Sequence, residues 1–245
     1  MEELGEEEIL GLLATVGGVP APLSIQLQDI IPTIEKVVAA GLTPLIMDPS
    51  PAHNVDTFLR YSQTSVFDSK KAGLDVIGAP LAGRDKPISE SLETARKALV
   101  MAMKRGLTLS VSMQQGSPPF SSWLDHPDFF PAEHVFTKAG KKLIEEKSGW
   151  PERLFRPEDT VDTHGFAIPH RDFQVVLTTW FAKPADAKRF LFAEKMGLSH
   201  YDPKLFQIVM IEETMNEFGA QGAARGSNVG YHRFHSASEE DDTIC

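Results

Sequence analysis

The sequence contains little cysteine, no surplus of basic residues and no long apolar run. Its single cysteine, Cys245, cannot form a disulfide within the chain, which favours a reducing compartment such as the cytoplasm. Because 24 Lys and Arg stand against 34 Asp and Glu, with a net charge of −10, the cations needed for nonspecific nucleic-acid binding are missing. No apolar run approaches the ~20 residues that span a bilayer. We therefore expect neither nucleic acid nor a membrane as a partner.

The length of 245 residues allows one large domain or two small ones. We predict one α/β domain over residues 1–218, with an irregular, aromatic and proline-rich insertion at about 117–165. Residues 219–245 are rich in Gly, Ala and Ser, and they end in an acidic run. Their apolar surface is too small to offset the entropy of ordering, so we expect a flexible acidic tail.

Short apolar runs alternate with helical patterns between the two ends of the chain. Five runs have the composition of strands, at residues 42–47, 74–77, 107–113, 173–179 and 205–211. Nearly continuous apolar runs are typical of strands that are covered on both faces of a sheet. With helices between them, these runs predict an α/β fold with a doubly wound, mostly parallel five-stranded sheet.

The clearest helical pattern begins at an N-cap, Ser89 or Ser91, and ends at Gly106. Four apolar residues recur there at helical spacing and should face the core: Leu92, Ala95, Leu99 and Met103. Shorter helices are predicted at residues 53–61, 132–147 and 185–196.

Aromatic side chains are frequent in the first part of the insertion, residues 117–131. They are Phe120, Trp123, Phe129 and Phe130. Two interpretations stay open. The stretch either presents a contact surface to a protein partner or packs as a loop on the protein's own core.

The motifs of a nucleotide-hydrolysing site are missing from the places where they are expected. Neither G-x-x-x-x-G-K-[ST] nor G-x-G-x-x-G occurs, and the loop at residues 48–54 has two prolines where a phosphate needs backbone donors. The strand at 107–113 leads into Gln114 and Gln115, and neutral amides are weak magnesium ligands and poor general bases. Both losses argue against hydrolysis of a nucleotide.

The eight histidines form no recognisable metal or catalytic motif. His164 and His170 are six positions apart, and His232 and His235 lie in the predicted tail, so none has the spacing of a zinc site. We therefore predict no metal, no catalytic residue and no cofactor. A small-molecule enzyme that uses His164 or His170 as a general base stays open as a hypothesis.

Three matches, the first made of two segments, resemble in the right order the fifth AAA+ module of dynein heavy chains. Residues 17–25 (GGVPAPLSI) and 44–52 (PLIMDPSPA) are similar to its Gly-Leu-Pro…Ser-Ile stretch and its strand Trp-Pro-Leu-Met-Ile-Asp-Pro-Gln. The helix at 91–106 resembles Thr-Leu-Glu-Asn-Ala…Gly-Thr-Pro-Leu-Leu-Leu-Glu-Asn, and residues 171–179 (RDFQVVLTT) resemble Pro-Asp-Phe-Arg-Phe-Tyr-Ile-Thr-Thr. Together the matches cover roughly residues 4–211.

The resemblance implies a sheet of the P-loop NTPase or AAA+ type with a degenerate phosphate loop. On this alignment residues 48–54 take the phosphate-loop position, Gln114 and Gln115 the acidic position, and Thr178 and Thr179 the first-sensor position. The implied vestigial nucleotide site consists of Asp48, His53, Asn54, Gln114, Thr178 and Thr179.

The fifth dynein module is not regarded as a hydrolysing site, so the resemblance implies a structural or interaction role. It also implies protein partners, dynein or axonemal components, and a place in the cytoplasm, cilium, axoneme or cytoskeleton. The chain departs from the family at the Gln residues and in its expanded residues 117–165, and without the other modules and the microtubule-binding stalk it cannot be a motor by itself. The alternative is a nucleotide-binding, ATPase-like enzyme with a non-standard phosphate loop, using Asp48, His53 and Thr179 with ATP or ADP and magnesium.

Overall fold

The computed structural model of the chain describes residues 15–16, 19–78, 88–116, 120, 124–137, 149–193 and 197–212. The predicted tail at 219–245, Trp123 and the second part of the helix predicted at 132–147 lie outside these residues. None of the helices in the described ranges is long and apolar enough to cross a membrane.

Parallel strands flanked by helices form the described part of the chain. The strands are β1 (Thr15–Val16), β2 (Val19–Pro20), β3 (Leu23–Ile25), β4 (Thr43–Met47), β5 (Thr64–Asp68), β6 (Thr108–Gln114), β7 (Gln174–Thr179) and β8 (Phe206–Ile211). The helices are α1 (Ile30–Ala39), α2 (Asn54–Tyr61), α3 (Ser69–Gly78), α4 (Ile88–Arg105), α5 (Ala132–Thr137), α6 (Trp150–Leu154) and α7 (Pro184–Leu191). Short 3-10 turns include Pro157–Asp159 and Val161–Thr163.

Six of these strands form one sheet in the order β3-β8-β4-β7-β6-β5, and every pair in it is parallel. β1 and β2 form a separate antiparallel pair. If the strands β4 to β8 are numbered one to five along the chain, their order across the sheet is 5-1-4-3-2. β3 lies at the edge of the sheet, next to the fifth of these strands. The predicted α/β fold with a parallel sheet is confirmed, with six strands in place of five, and the sheet is consistent with the P-loop NTPase or AAA+ type.

Alternate residues of the central strands enter two cores, one on each face of the sheet. Ile46, Val176 and Val209 pack with α1 and α2 in one core. Their neighbours Leu45 and Leu177 pack in the other core, which also contains buried residues of α4 and α7. Side chains of a strand point alternately to opposite faces, so strands this apolar require helices on both sides.

Two details of the predicted sheet are wrong. Residues 74–77, predicted as a strand, belong to α3, and the strand of this region is β5, ten positions earlier. β5 lies at an edge and has one buried residue, Phe67, so its sequence lacks the apolar run that marks a central strand. β3 at the opposite edge is three residues long and escapes prediction for the same reason.

The long helix α4 confirms its predicted core face, because Leu92, Ala95, Leu99 and Met103 are all buried. Its predicted start is wrong by one turn or less. The helix begins at Ile88, so Ser89 and Ser91 lie inside its first turn and not at the cap. It ends at Arg105, and Gly106 follows with a φ of +64° beside the His170 ring, where a Cβ would collide with Nδ1.

The described aromatic residues of this stretch, Phe120, Phe129 and Phe130, pack on the protein's own core. Phe120 and Phe130 are completely buried, and both rings contact Phe136, with centroids 4.9 and 5.8 Å from it. Phe129 is partly buried beneath the guanidinium of Arg156. The interpretation of this stretch as a contact surface is therefore wrong for Phe120 and Phe130, which have no surface left for a partner.

A buried arginine joins α4 to the segment that follows α6. Arg96 is fully buried, and its guanidinium donates to both carboxylate oxygens of Glu93 at 2.8 and 2.9 Å. It also donates to the Asp159 carboxylate at 2.5 Å and to the Leu154 carbonyl at 2.6 Å. Such a cation is tolerated in a core only because its donors are paired, and its removal would leave the partly buried Asp159 carboxylate without its ion-pair partner.

The arginine holds both carboxyl groups in their ionised form. The hydrogen bond from Arg96 lowers the pKa of Glu93 below its ordinary value. Burial favours the neutral form of Asp159, but hydrogen bonds from Arg96 and the Arg156 backbone outweigh it and lower the pKa of that carboxyl too. A group with a lowered pKa in the folded state stabilises the fold above its unfolded pKa, about 4, and loses that contribution as the pH falls through the folded value.

We predict that Arg96→Met lowers the free energy of unfolding by about 3 kcal/mol at neutral pH, because Asp159 loses its ion-pair partner and Glu93 keeps only the more exposed cations Arg156 and Lys97. The matched control is Lys97→Met on the same helix, whose exposed ion pair with Glu93 is 3.9 Å long and should contribute less than about 1 kcal/mol. Urea unfolding from pH 7 to pH 3 measures both. The stability that the wild type loses below about pH 4 should be smaller in Arg96→Met. Parallel pH profiles for the two proteins would contradict this role.

Candidate functional site

The six residues of the predicted nucleotide site lie at one edge of the sheet. β4, β7 and β6 are neighbours, and the carboxyl ends of parallel strands meet at the same edge. Met47 pairs with Thr179, and Thr179 pairs with Gln114 on the other side. Asp48 directly follows β4, Gln114 ends β6, Thr178 and Thr179 end β7, and His53 and Asn54 lie at the start of α2.

Asp48 caps the amino end of α2 with its carboxylate. The side chain is 2% exposed, and Oδ2 accepts the Val55 backbone N–H at 2.8 Å. Oδ1 accepts the backbone N–H and the hydroxyl of Ser50 at 2.9 and 2.5 Å. The free N–H groups at the start of a helix are the groups that bind a phosphate in nucleotide sites. Here a carboxylate of the chain itself takes up one of those donors.

Asp56 lies one turn into α2 and links this helix to two strand ends. Its Oδ1 accepts the Thr178 hydroxyl at 3.0 Å. Its Oδ2 accepts the Trp180 indole N–H at 3.0 Å and, at the longer distance of 3.3 Å, the Ser112 hydroxyl. Hydrogen bonds to an ionised carboxylate are stronger than those between neutral groups. Asp56 is therefore the hydrogen-bonded centre of this edge.

His53 stacks on Trp180 beside Asp56. The two rings are nearly parallel, at 11°, with centroids 3.5 Å apart. His53 has a φ of +51°, a left-handed conformation that is unusual for a residue with a side chain. The strain is supported by the stacking and by the hydrogen bond of 3.2 Å from the His53 backbone N–H to the Ser50 carbonyl.

Thr179 and Gln114 complete the edge on the side of β6. The Thr179 hydroxyl donates to the Gln114 carbonyl at 2.6 Å, so its hydrogen is committed within the protein. The Gln114 side chain donates to the Asp68 carboxylate at the end of β5, at 3.0 Å. Asn54 is exposed and joins the network through its backbone N–H, which donates to the Ser50 hydroxyl at 3.2 Å.

The resulting cluster of Asp48, Ser50, Asp56, Thr178 and Trp180 is anionic and internally hydrogen-bonded, and we call it the carboxylate cluster. Its hydrogen bonds join two carboxylates to hydroxyl, indole and backbone donors, with no Lys or Arg among them. The two carboxylates carry the same sign of charge as a polyphosphate and oppose its binding at this edge. The arrangement therefore favours hydrogen bonds among the chain's own polar groups over the binding of an anion.

The histidines of the general-base hypothesis lie elsewhere. The backbone N–H of His170 donates to the Met103 carbonyl near the end of α4, at 2.7 Å, before β7 begins. His164 lines a groove of about 500 Å³ beside the turn Val161–Thr163. Neither contacts the carboxylate cluster. In the described ranges, no group of three or more His, Cys, Asp or Glu side chains could hold a metal ion.

Sequence reasoning missed Asp56, Ser112 and Trp180. Asp56 is the third residue of a correctly predicted helix. An acidic residue in the first turn of a helix is explained by its favourable interaction with the helix dipole, so the sequence gives no reason to expect a further role. Trp180 directly follows the predicted Thr178-Thr179 pair. An indole at a strand end needs a hydrogen-bond partner, and that need is the one signal in the sequence that points to a nearby acceptor.

Comparisons with protein-family models, curated proteins and solved structures gave no significant match for this chain. The function of the chain is therefore inferred from its residues and their geometry.

We predict that Asp56→Ala lowers the free energy of unfolding by about 2 kcal/mol, because the Trp180 indole and the Thr178 hydroxyl lose a charged acceptor in a partly buried site. The matched control is Asp186→Ala. Asp186 is also the third residue of an eight-residue helix, α7, so both variants lose the same helix-dipole contribution of less than about 1 kcal/mol. Chemical unfolding of the three proteins gives the values. Equal losses in the two variants would mean that the hydrogen bonds of Asp56 contribute nothing.

Proposed function

We propose that this chain is a non-hydrolysing AAA+-like module with a structural or interaction role. In this proposal it is related to the fifth module of the dynein motor ring and works in a dynein-linked or ciliary, microtubule-associated assembly. The observation that carries the first part is the carboxylate cluster. Asp48, which the resemblance aligns with the phosphate loop, directs its carboxylate to the Val55 backbone N–H at the start of α2.

Three features of the edge support a role without hydrolysis. One of the backbone donors at the start of α2, the Val55 N–H, is taken up by Asp48, which also adds a negative charge to the site. The acidic position carries Gln114, whose side-chain amide donates to the Asp68 carboxylate at 3.0 Å. The first-sensor hydroxyls of Thr178 and Thr179 are both bound to protein acceptors. In a nucleotide-hydrolysing module, the phosphate loop, the acidic residue and the first sensor each contact the nucleotide. In our proposal each of these contacts is missing here, so binding or hydrolysis of a nucleotide would not change the conformation of the module.

The assembly part of the proposal rests on the three matches that resemble dynein heavy chains. The six-stranded parallel sheet is consistent with an AAA+-like fold and supports this part only in that general way. The rival function is an ATPase-like enzyme that uses Asp48, His53 and Thr179. For that function the hydrogen bonds of Asp48 and Thr179 would have to break before a phosphate could bind.

We predict that ATP and ADP, each with magnesium, leave the melting temperature of the purified chain unchanged. A ligand at 100 times its dissociation constant would add about 2.7 kcal/mol of stability, which a thermal melt detects easily. The rival function requires a saturable rise. If Asp48→Ala abolished such a rise and Asp128→Ala, at an exposed carboxylate outside the cluster, preserved it, the edge would be a working nucleotide site and the proposal would fail.

A further inference from the structure

The outer side of α7 combines exposed cations with a pair of stacked aromatic rings. Phe181 and Phe190 stack with an interplanar angle of 8° and centroids 5.6 Å apart. The Arg189 guanidinium carbon lies 5.3 Å from the Phe190 centroid. Phe190 is 38% exposed, and Arg189 and Lys183 are exposed as well. We call Phe181, Lys183, Arg189 and Phe190 the α7 outer face.

Helix geometry keeps Arg189 and Phe190 off the side of α7 that faces the sheet, and Phe181, which precedes the helix, is partly buried against the core. Ala187 and Leu191 are completely buried and fix which side of α7 faces the sheet. Lys183 is the exposed N-cap residue that directly precedes the helix. Arg189 is next to Phe190 in the chain, and its guanidinium lies over the Phe190 ring. Lys188 is also exposed and lies two positions, about 200° around the helix, from Phe190.

The charge of this face is opposite to that of the whole chain. The net charge is −10, and the ion pairs between described residues engage the cations Arg96, Lys97, Lys104 and Arg156. In the ranges that the structure describes, no carboxylate lies within ion-pair distance of Lys183 or Arg189. The two cations beside the stacked rings are therefore not committed to a described acid of the chain itself.

We propose that the α7 outer face binds an acidic segment of another protein that also carries an aromatic or aliphatic side chain. Carboxylates of the segment would pair with Lys183 and Arg189, and its apolar side chain would pack on the Phe181–Phe190 pair. Aromatic and Arg side chains together are typical of the residues that dominate binding energy at protein interfaces. This inference depends on the proposed interaction role of the module. We propose a protein partner and not a nucleic acid, because the net negative charge of the chain repels a polyanion as large as DNA or RNA.

The test is a fluorescence anisotropy titration of the purified chain into a labelled glutamate-rich peptide with one central phenylalanine. We expect saturable binding that weakens with added salt. Arg189→Glu and Phe190→Ser should each weaken it about tenfold or more. The matched control, Lys188→Glu, changes the charge of the same helix by the same amount and should weaken binding less than about threefold. Thermal melts confirm that each variant is folded.

Several results would overturn the inference. They are a lack of binding, an equal loss in Arg189→Glu and Lys188→Glu, and tighter binding of a labelled single-stranded oligonucleotide through the same residues. A dimer in sedimentation that Arg189→Glu dissolves would show that the occupant is a second copy of the chain. If the peptide does not bind and ATP and ADP leave the melting temperature unchanged, the α7 outer face is not a binding site, but the proposal of a non-hydrolysing module still stands.

Discussion

The Asp56 carboxylate is the interaction on which the edge of the sheet depends. It binds the Thr178 hydroxyl, the Trp180 indole and the Ser112 hydroxyl, and so fixes the first turn of α2 against the ends of β7 and β6. Asp48 fixes the same turn to the end of β4. With both carboxylates in place, the start of α2 is connected to three adjacent strands. A helix tied in this way has little freedom to move with the state of a ligand.

The same constraint determines how the polar groups at this edge are satisfied. Parallel strands bring polar residues together at their carboxyl ends, and these groups must be paired either with a ligand or with each other. Here the strand-end groups are paired with each other, since Thr179 donates to Gln114 and Gln114 to Asp68. Beside them, His53 stacks on Trp180, and its buried Nδ1 has no hydrogen-bond partner among the described residues. In the proposed function this pairing takes the place of a nucleotide, and we propose that partners bind elsewhere, as at the α7 outer face.

Much of the fold could be predicted because its signals are local. The apolar runs of β4, β7 and β8 and the spacing of Leu92, Leu99 and Met103 in α4 depend on burial, which hydrophobicity reports directly. β5 was missed because an edge strand buries little, and the cap of α4 because its serines lie within the first turn. The partners of Asp56 lie 56, 122 and 124 positions away, distances at which one sequence contains no pairing signal. Prediction could place the candidate residues at one edge, but not show that Asp56 connects them.

The most direct measurement is the indole N–H signal of Trp180 in a nitrogen–proton NMR spectrum during titration with ATP and magnesium. The signal is assigned by its loss in Trp180→Phe. Because this proton is donated to Asp56 at the closed edge, the account predicts that it stays at the same chemical shift throughout the titration. A saturable shift of the Trp180 signal, with the indole signals of Trp123 and Trp150 unchanged, would contradict the account. It would show that a nucleotide reaches the carboxylate cluster.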